Sequence, residues 1–257
     1  MNLSPIVTDI LNFLAGGLLG LISAAYAAHF GYRSADRLPG ESRIPHCVFC
    51  LRKLKWTEYL PLSWLMRAEP ARLPCPCGKQ KGQWAQPAAE IMGFILGLLA
   101  VMLGGFSWDV VWLCLALGLL PAIAMIDLFF GLIPDELTAL LAILGLFWIA
   151  AGQGDFFLSL IGATGLLGFS LFLAIVYSKW RGREMLGLGD VKLFAASGLW
   201  LPVLTIPWFL ALAGVVGTVF GLIWKRMGGS KEFPFGPAIC LSLAVCVLYE
   251  LYYIIPV

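Results

Sequence analysis

The chain has 257 residues, 60% of them hydrophobic and only 12% charged, with a formal net charge of +2 and a mean hydropathy of +0.90. A soluble domain runs to about half apolar and about a quarter charged, so these values exclude an ordinary soluble globular protein and indicate a polytopic membrane protein. With only His29 and His46 available, a Ser-His-Asp hydrolase is excluded as well, and no phosphate-cradling loop or nucleic-acid module is present.

A helix needs roughly 20 apolar residues to cross a bilayer. On that criterion the hydropathy predicts spans over 7–30, 89–106, 109–128, 136–151, 156–178, 191–206, 207–224 and 235–255. The spans at 136–151 and 191–206 are short. The first ends in Ala-rich sequence but is preceded by no Lys or Arg, so it lacks the basic n-region of a signal peptide and reads as a retained helix. All 17 basic residues fall in three stretches: ten between Arg33 and Lys81, four between Lys179 and Lys192, and three between Lys225 and Lys231. Basic residues stay on the cytoplasmic side. Eight crossings from an outside N-terminus put all three stretches there, with both termini outside. The expected fold is thus an all-α bundle of about eight transmembrane helices. It divides into a first helix (1–31), a cytoplasmic Cys-rich insertion (32–88) and a seven-helix membrane domain (89–257).

The insertion carries Cys47-Val48-Phe49-Cys50 and Cys75-Pro76-Cys77, two pairs separated by 24 residues. Four thiolates close a tetrahedral shell around zinc, and a cytoplasmic, reducing setting argues against disulfides. Cys47, Cys50, Cys75 and Cys77 are therefore candidate ligands of a zinc-ribbon-like knuckle, with His46 an alternative ligand and free thiols or a redox pair the competing readings. Cys114, Cys240 and Cys246 lie in apolar runs, where cysteine packs as a small hydrophobe.

Acids in the membrane are costly and mark candidate functional sites. Asp127 stands near the cytoplasmic end of the third span and Asp190 at the cytoplasmic start of the sixth, behind Gly187-Leu188-Gly189. The two share one depth and one face although they are 63 residues apart. The glycines remove side chains beside Asp190 and permit positive φ, so an extended peptide or a second helix can lie against that backbone. Two carboxylates in one site share a proton near neutral pH. One then takes a proton from water while the other polarises a peptide carbonyl, the pair titrating as a unit. The bland alternative is helix capping: Asp135, after Ile133-Pro134, fits a cap, and Asp190 with a snorkelling Lys192 fits one too. Glu90 reads as interfacial, with a role at a cofactor site. Glu250 lies toward the outer end. Gly217-x-x-x-Gly221 reads as close helix packing, and Pro234-Phe235-Gly236-Pro237 as a turn that breaks the helix before the last span.

Taken together, these residues resemble the type IV prepilin peptidases (prepilin leader peptidase/N-methyltransferase). The resemblance runs through Cys47-x-x-Cys50, Leu54-Lys55-Trp56, Leu60-Pro61-Leu62-Ser63-Trp64-Leu65, the second cysteine pair, and Pro87 with Glu90. It continues through Ile126-Asp127 with Ile133-Pro134-Asp135, then Gly187-Leu188-Gly189-Asp190-Val191-Lys192-Leu193, and ends at Pro234-Phe235-Gly236-Pro237. It implies a multi-pass bacterial inner-membrane enzyme that cuts the basic leader from prepilins or type II secretion pseudopilins at the cytoplasmic face. The new N-terminus is then methylated from S-adenosylmethionine. In such a family Asp127 and Asp190 would perform proteolysis, and the cysteine loop would serve methylation and substrate engagement. Gly187, Gly189, Lys192, Pro234, Phe235 and Gly236 would shape the substrate groove, and Glu90 would be a methylation-site candidate. Two departures fall in the methylation-linked part: Cys75-Pro76-Cys77 is tighter than Cys-x-x-Cys, and the stretch from Gly20 to Pro39 keeps Arg37-Leu38-Pro39 but lacks an Asn. The competing classes are a proton-coupled transporter, with both aspartates as relay groups nearer mid-membrane, and a zinc-bearing assembly factor without catalysis.

Overall fold

The computed structural model describes residues 5–34, 85–181, 186–228 and 233–254, and these form helices α1 (Pro5–Ser34), α2 (Ala85–Gly104), α3 (Trp108–Phe130), α4 (Asp135–Trp148), α5 (Phe156–Arg181), α6 (Leu188–Ser197), α7 (Ile206–Arg226) and α8 (Gly236–Ile254). Among the described residues there is no strand. Seven of the helical segments are long and apolar enough to cross a membrane, which makes this a multi-pass membrane protein. In hydrocarbon the backbone must satisfy its own polar groups, and helices do so within the segment. The side-chain hydroxyls follow the same rule: Ser170, Ser197 and Thr218 each donate to the carbonyl four residues earlier.

The predicted span over 191–206 is corrected. α6 stops at Ser197 after ten residues, about 15 Å of helix. The chain then turns through Gly198 to Pro202 into a 3-10 turn, Val203–Thr205. Pro202, whose backbone is extended, and Pro207 each remove a helix donor and disfavour helix in the preceding residue. The turn is nailed to α4 by Trp200, whose indole N–H donates to the Leu141 carbonyl at 3.1 Å. Gly145 leaves room for that indole: an added Cβ would lie 3.1 Å from its nitrogen. The predicted span over 136–151 is longer than expected, because a π-helical turn, Ile149–Gln153, prolongs α4.

α3 is the axis of the bundle, with 67% of its most apolar stretch buried against 17% for the segment containing α7. α1, α2 and α3 meet through glycine. Gly20 of α1 lies against both Gly93 of α2 and Gly118 of α3, and Gly16 lies against Gly97. With no aqueous hydrophobic drive between helices in lipid, close backbone approach is what holds them. A Cβ on Gly93 would stand 2.6 Å from the Gly20 carbonyl oxygen and 2.7 Å from the Ala24 Cβ. Gly93→Leu is therefore expected to lower stability by about 1–3 kcal/mol, read by thermal unfolding in detergent. Gly165→Leu on α5, where a Cβ meets nothing within 4 Å, is expected to unfold like the parent chain.

The other GxxxG, Gly217 to Gly221, does not receive a helix. Its glycines face the rings of Phe235 and Phe233, from the segment leading into α8. Cys114, Cys240 and Cys246 are buried free thiols, in keeping with the packing role expected of them.

Candidate active site

Asp127 and Asp190 come together at one end of the bundle. α3 ends three residues after Asp127, at Phe130; the next residue, Gly131, takes the left-handed conformation (φ 65°) and its N–H donates to the Asp127 carbonyl at 2.7 Å. The chain reverses through Leu132 and Ile133 into α4, so the α3 C-terminus and the α4 N-terminus share this end. α6 begins beside them: a Cβ on Gly189 would lie 3.0 Å from the Ile133 Cβ. Gly189 thus serves by having no side chain. Neither it nor Gly187 is among the positive-φ glycines, Gly105, Gly131, Gly152 and Gly228, so the conformational freedom expected at this pair is unused.

A carboxylate in the last turn of a helix faces the negative end of that helix's dipole. The structure offsets this by aiming a second helix start at Asp127. The Gly236 N–H, which opens α8 and has no partner within the helix, donates to Asp127 Oδ2 at 2.7 Å. The approach is so close that a Cβ on Gly236 would fall 2.6 Å from that oxygen and 3.0 Å from Asp127 Cγ. Asp190, third residue of α6, reaches back to the N-cap: Gly187 N–H donates to its Oδ2 at 3.2 Å. That is half of a capping box, the other half being impossible for glycine. The capping reading of Asp190 thus holds for one oxygen only. Oδ1 is buried and accepts no hydrogen bond, which is costly for a carboxylate. Cys240, one turn into α8, is buried.

Asp135 is not a cap. Pro134 occupies the N-cap of α4 with no side-chain capping bond, which leaves Asp135 as the first helical residue. Both its oxygens instead accept from Lys192 Nζ at 2.7 Å, so Lys192 ties α6 to α4 in place of snorkelling. The side chains are 50% and 69% exposed, and exposed pairs contribute about 0–1 kcal/mol. Asp135→Asn is accordingly expected to change a substrate turnover rate by no more than roughly fivefold, measured in purified protein.

Glu90 is fully buried on α2. The first turns of α2 pack inward through Ala85, Pro87, Ala89 and Gly93, and Gln86 Nε2 donates to Glu90 Oε1 at 2.8 Å. Glu250 lies at the opposite end of the bundle and accepts a hydrogen bond from Thr205. Pro234 is buried and Phe235 half-buried beside Gly236. The four candidate zinc ligands, Cys47, Cys50, Cys75 and Cys77, and His46 lie outside the described residues. Among the described residues no three metal-ligating side chains converge. The hydrogen bond from the N–H of Gly236 to Asp127 is the contact at this site that sequence reasoning missed. Its signal was a glycine at the first position of a helix, followed directly by proline.

The family model for the type IV leader peptidase family matches residues 114–222, a stretch that contains both aspartates. A prepilin leader peptidase/N-methyltransferase of Aeromonas hydrophila is 30% identical over 88% of this chain and 80% of its own length. The chain belongs to the type IV leader peptidase family. Another such relative, from Legionella pneumophila, is 32% identical over 63% of this chain, and the match spans 58% of the relative's length. A type 4 prepilin-like proteins leader peptide-processing enzyme of Escherichia coli is 29% identical over 93% of this chain and 91% of its own. No solved structure matches the chain. As a leader peptidase it is a membrane-embedded hydrolase, and Asp127 and Asp190 are the acids that the fold brings together at one end of its bundle.

Proposed function

We propose that this chain removes the leader peptide of type IV prepilins or type II secretion pseudopilins at the cytoplasmic face of the bacterial inner membrane, with Asp127 and Asp190 as the catalytic pair, and then N-methylates the new N-terminus. The observation that carries the reading is the pairing itself. Two carboxylates from helices far apart in sequence meet at one end of the bundle, each held by a helix-start N–H, and one oxygen of Asp190 is buried without a hydrogen bond. The names of the relatives support the substrate and both reactions, and the three basic stretches support the orientation.

One proton is shared by the pair. The ionised carboxylate takes a proton from water, the protonated one donates to the scissile carbonyl oxygen, and the water oxygen bonds to the carbonyl carbon. Collapse of the resulting tetrahedral diol breaks the C–N bond. The protonated carboxylate gives its proton to the leaving amine while the ionised one takes a proton from a diol hydroxyl, which returns the pair to its starting state. Gly187, Gly189, Lys192, Pro234, Phe235 and Gly236 frame the groove in which the peptide lies. Cys47, Cys50, Cys75 and Cys77 hold a structural zinc in the insertion. S-adenosylmethionine supplies the methyl group, and Glu90 is the described acid closest to the methylation-linked part of the sequence. Elemental analysis of the purified chain is expected to find about one zinc per protein, lost in Cys47→Ser.

The test is co-expression with a prepilin and mass spectrometry of the product N-terminus. Loss of the leader together with a gain of roughly 14 Da, one methyl replacing one hydrogen, is the expected result. A substrate recovered with its leader intact from cells containing folded enzyme overturns the reading.

A further inference from the structure

The α7 glycine notch faces the segment that carries the Asp127 donor. Gly217 is buried on α7, on the same face as the buried Phe209 and Ala213. An added Cβ there would run into Phe235, 3.0 Å from Cδ2, 3.4 Å from Cζ and closer still to Cε2. The Phe235 ring is held on its other sides by Phe194 of α6 (6.2 Å between ring centres) and Phe233 (6.0 Å). Phe194 in turn lies edge-on to Phe209 of α7 at 5.8 Å. Phe194 is one turn beyond Asp190, and Phe235 immediately precedes Gly236. A single ring therefore touches the helix of one aspartate and is bonded to the residue that grips the other.

We propose that Gly217 and Phe235 are a positioning pair for the peptidase reaction: the notch seats the ring, and the seated ring sets where the Gly236 N–H meets Asp127 relative to α6. The proposal rests on the catalytic reading of Asp127 and Asp190. It predicts reciprocal size complementation. Gly217→Ala pushes the ring out and Phe235→Leu leaves the seat underfilled. Each single variant lowers kcat by roughly 10²-fold, the scale of a displacement of about 1 Å at a catalytic group, with KM within about threefold of the parent. The double variant, in which the new methyl occupies space vacated by the ring, recovers kcat to within about threefold of the parent.

The experiment measures kcat and KM for leader cleavage of a purified prepilin by the full chain in proteoliposomes. Gly214→Ala, one turn earlier on α7 where a Cβ meets nothing within 4 Å, is the control and retains parent activity. The proposal is overturned by parent-like kcat in Gly217→Ala, or by a double variant no faster than the slower single one. Should Gly217→Ala fail to fold, the comparison of Phe235→Leu with the double variant decides: a faster double supports the pair, and an equal or slower one overturns it. Asp127→Asn run alongside separates the two levels. If it cleaves, the catalytic reading itself fails. If it does not cleave while Gly217→Ala does so at the parent rate, only the positioning pair fails.

Discussion

Replacing either aspartate by asparagine is expected to leave a co-expressed prepilin with its leader attached. Asparagine keeps the shape and volume of aspartate, so the packing around α3, α6 and α8 survives. Its carbonyl oxygen still accepts from Gly236 N–H in Asp127→Asn, or from Gly187 N–H in Asp190→Asn. What is lost is the shared proton. An amide neither takes a proton from water nor gives one to a carbonyl near neutral pH, and general acid–base contributions of 10²–10⁴ apply to each transfer. The combined loss is expected to be at least about 10³-fold in cleavage rate, with the variants present in the membrane at parent levels. In Asp190→Asn the amide nitrogen, if it occupies the Oδ1 position, is buried without an acceptor, at a stability cost of about 1–3 kcal/mol. Thermal unfolding of that variant separates the cost from the chemistry. Cleavage within tenfold of the parent in either variant would remove the dyad from the mechanism.

Gly236→Ala is the second large effect. The added methyl would stand 2.6 Å from Asp127 Oδ2, well inside contact, and the oxygen it meets is the one that accepts the Gly236 N–H. Either α8 withdraws, breaking that hydrogen bond, or Asp127 swings away from Asp190. Both responses misplace a reacting carboxylate by about 1 Å, a displacement worth roughly 10²-fold in rate. Neither requires the bundle to come apart, since α8 remains packed on α3 through Ile239, Leu243 and Val247, all in the core. The measurement is kcat of purified Gly236→Ala against Gly214→Ala, both one-methyl changes at helical glycines. Equal rates would show that the α8 start does not hold Asp127 in the reacting state.

Much of this arrangement was legible along the chain. The apolar runs place the helices because hydrocarbon tolerates no unpaired backbone groups and a helix pairs them within the segment. Counting crossings between basic stretches puts Asp127 and Asp190 at the same end of the bundle, where the structure has them. The motifs around both acids, with the later Pro234-Phe235-Gly236-Pro237, point to the family that the comparisons identify. The short α6 was foreseeable from Pro202 and Pro207, yet hydropathy alone carried the span on to residue 206 because Leu201, Val203 and Leu204 are as apolar as any helix interior. Other glycine contacts were visible only as spacing. Gly16-x-x-x-Gly20 and Gly93-x-x-x-Gly97 bring α1 and α2 together, while Gly217-x-x-x-Gly221, identical in pattern, accommodates aromatic rings.

Hydropathy, charge and motif order are properties of residues in sequence, and they determine which segments are apolar enough to cross a membrane and which acids end at one end of the bundle. They carry nothing about which helix start points at which carboxylate. That the Asp135 side chain pairs with Lys192 instead of capping α4, that Glu90 is buried, and that Gly236 N–H rather than a glycine beside Asp190 grips Asp127 were decided by the packing of α3, α4, α6 and α8. Hydrogen bonds and close contacts act over about 3 Å, and only the folded bundle brings residues 109 positions apart within that range.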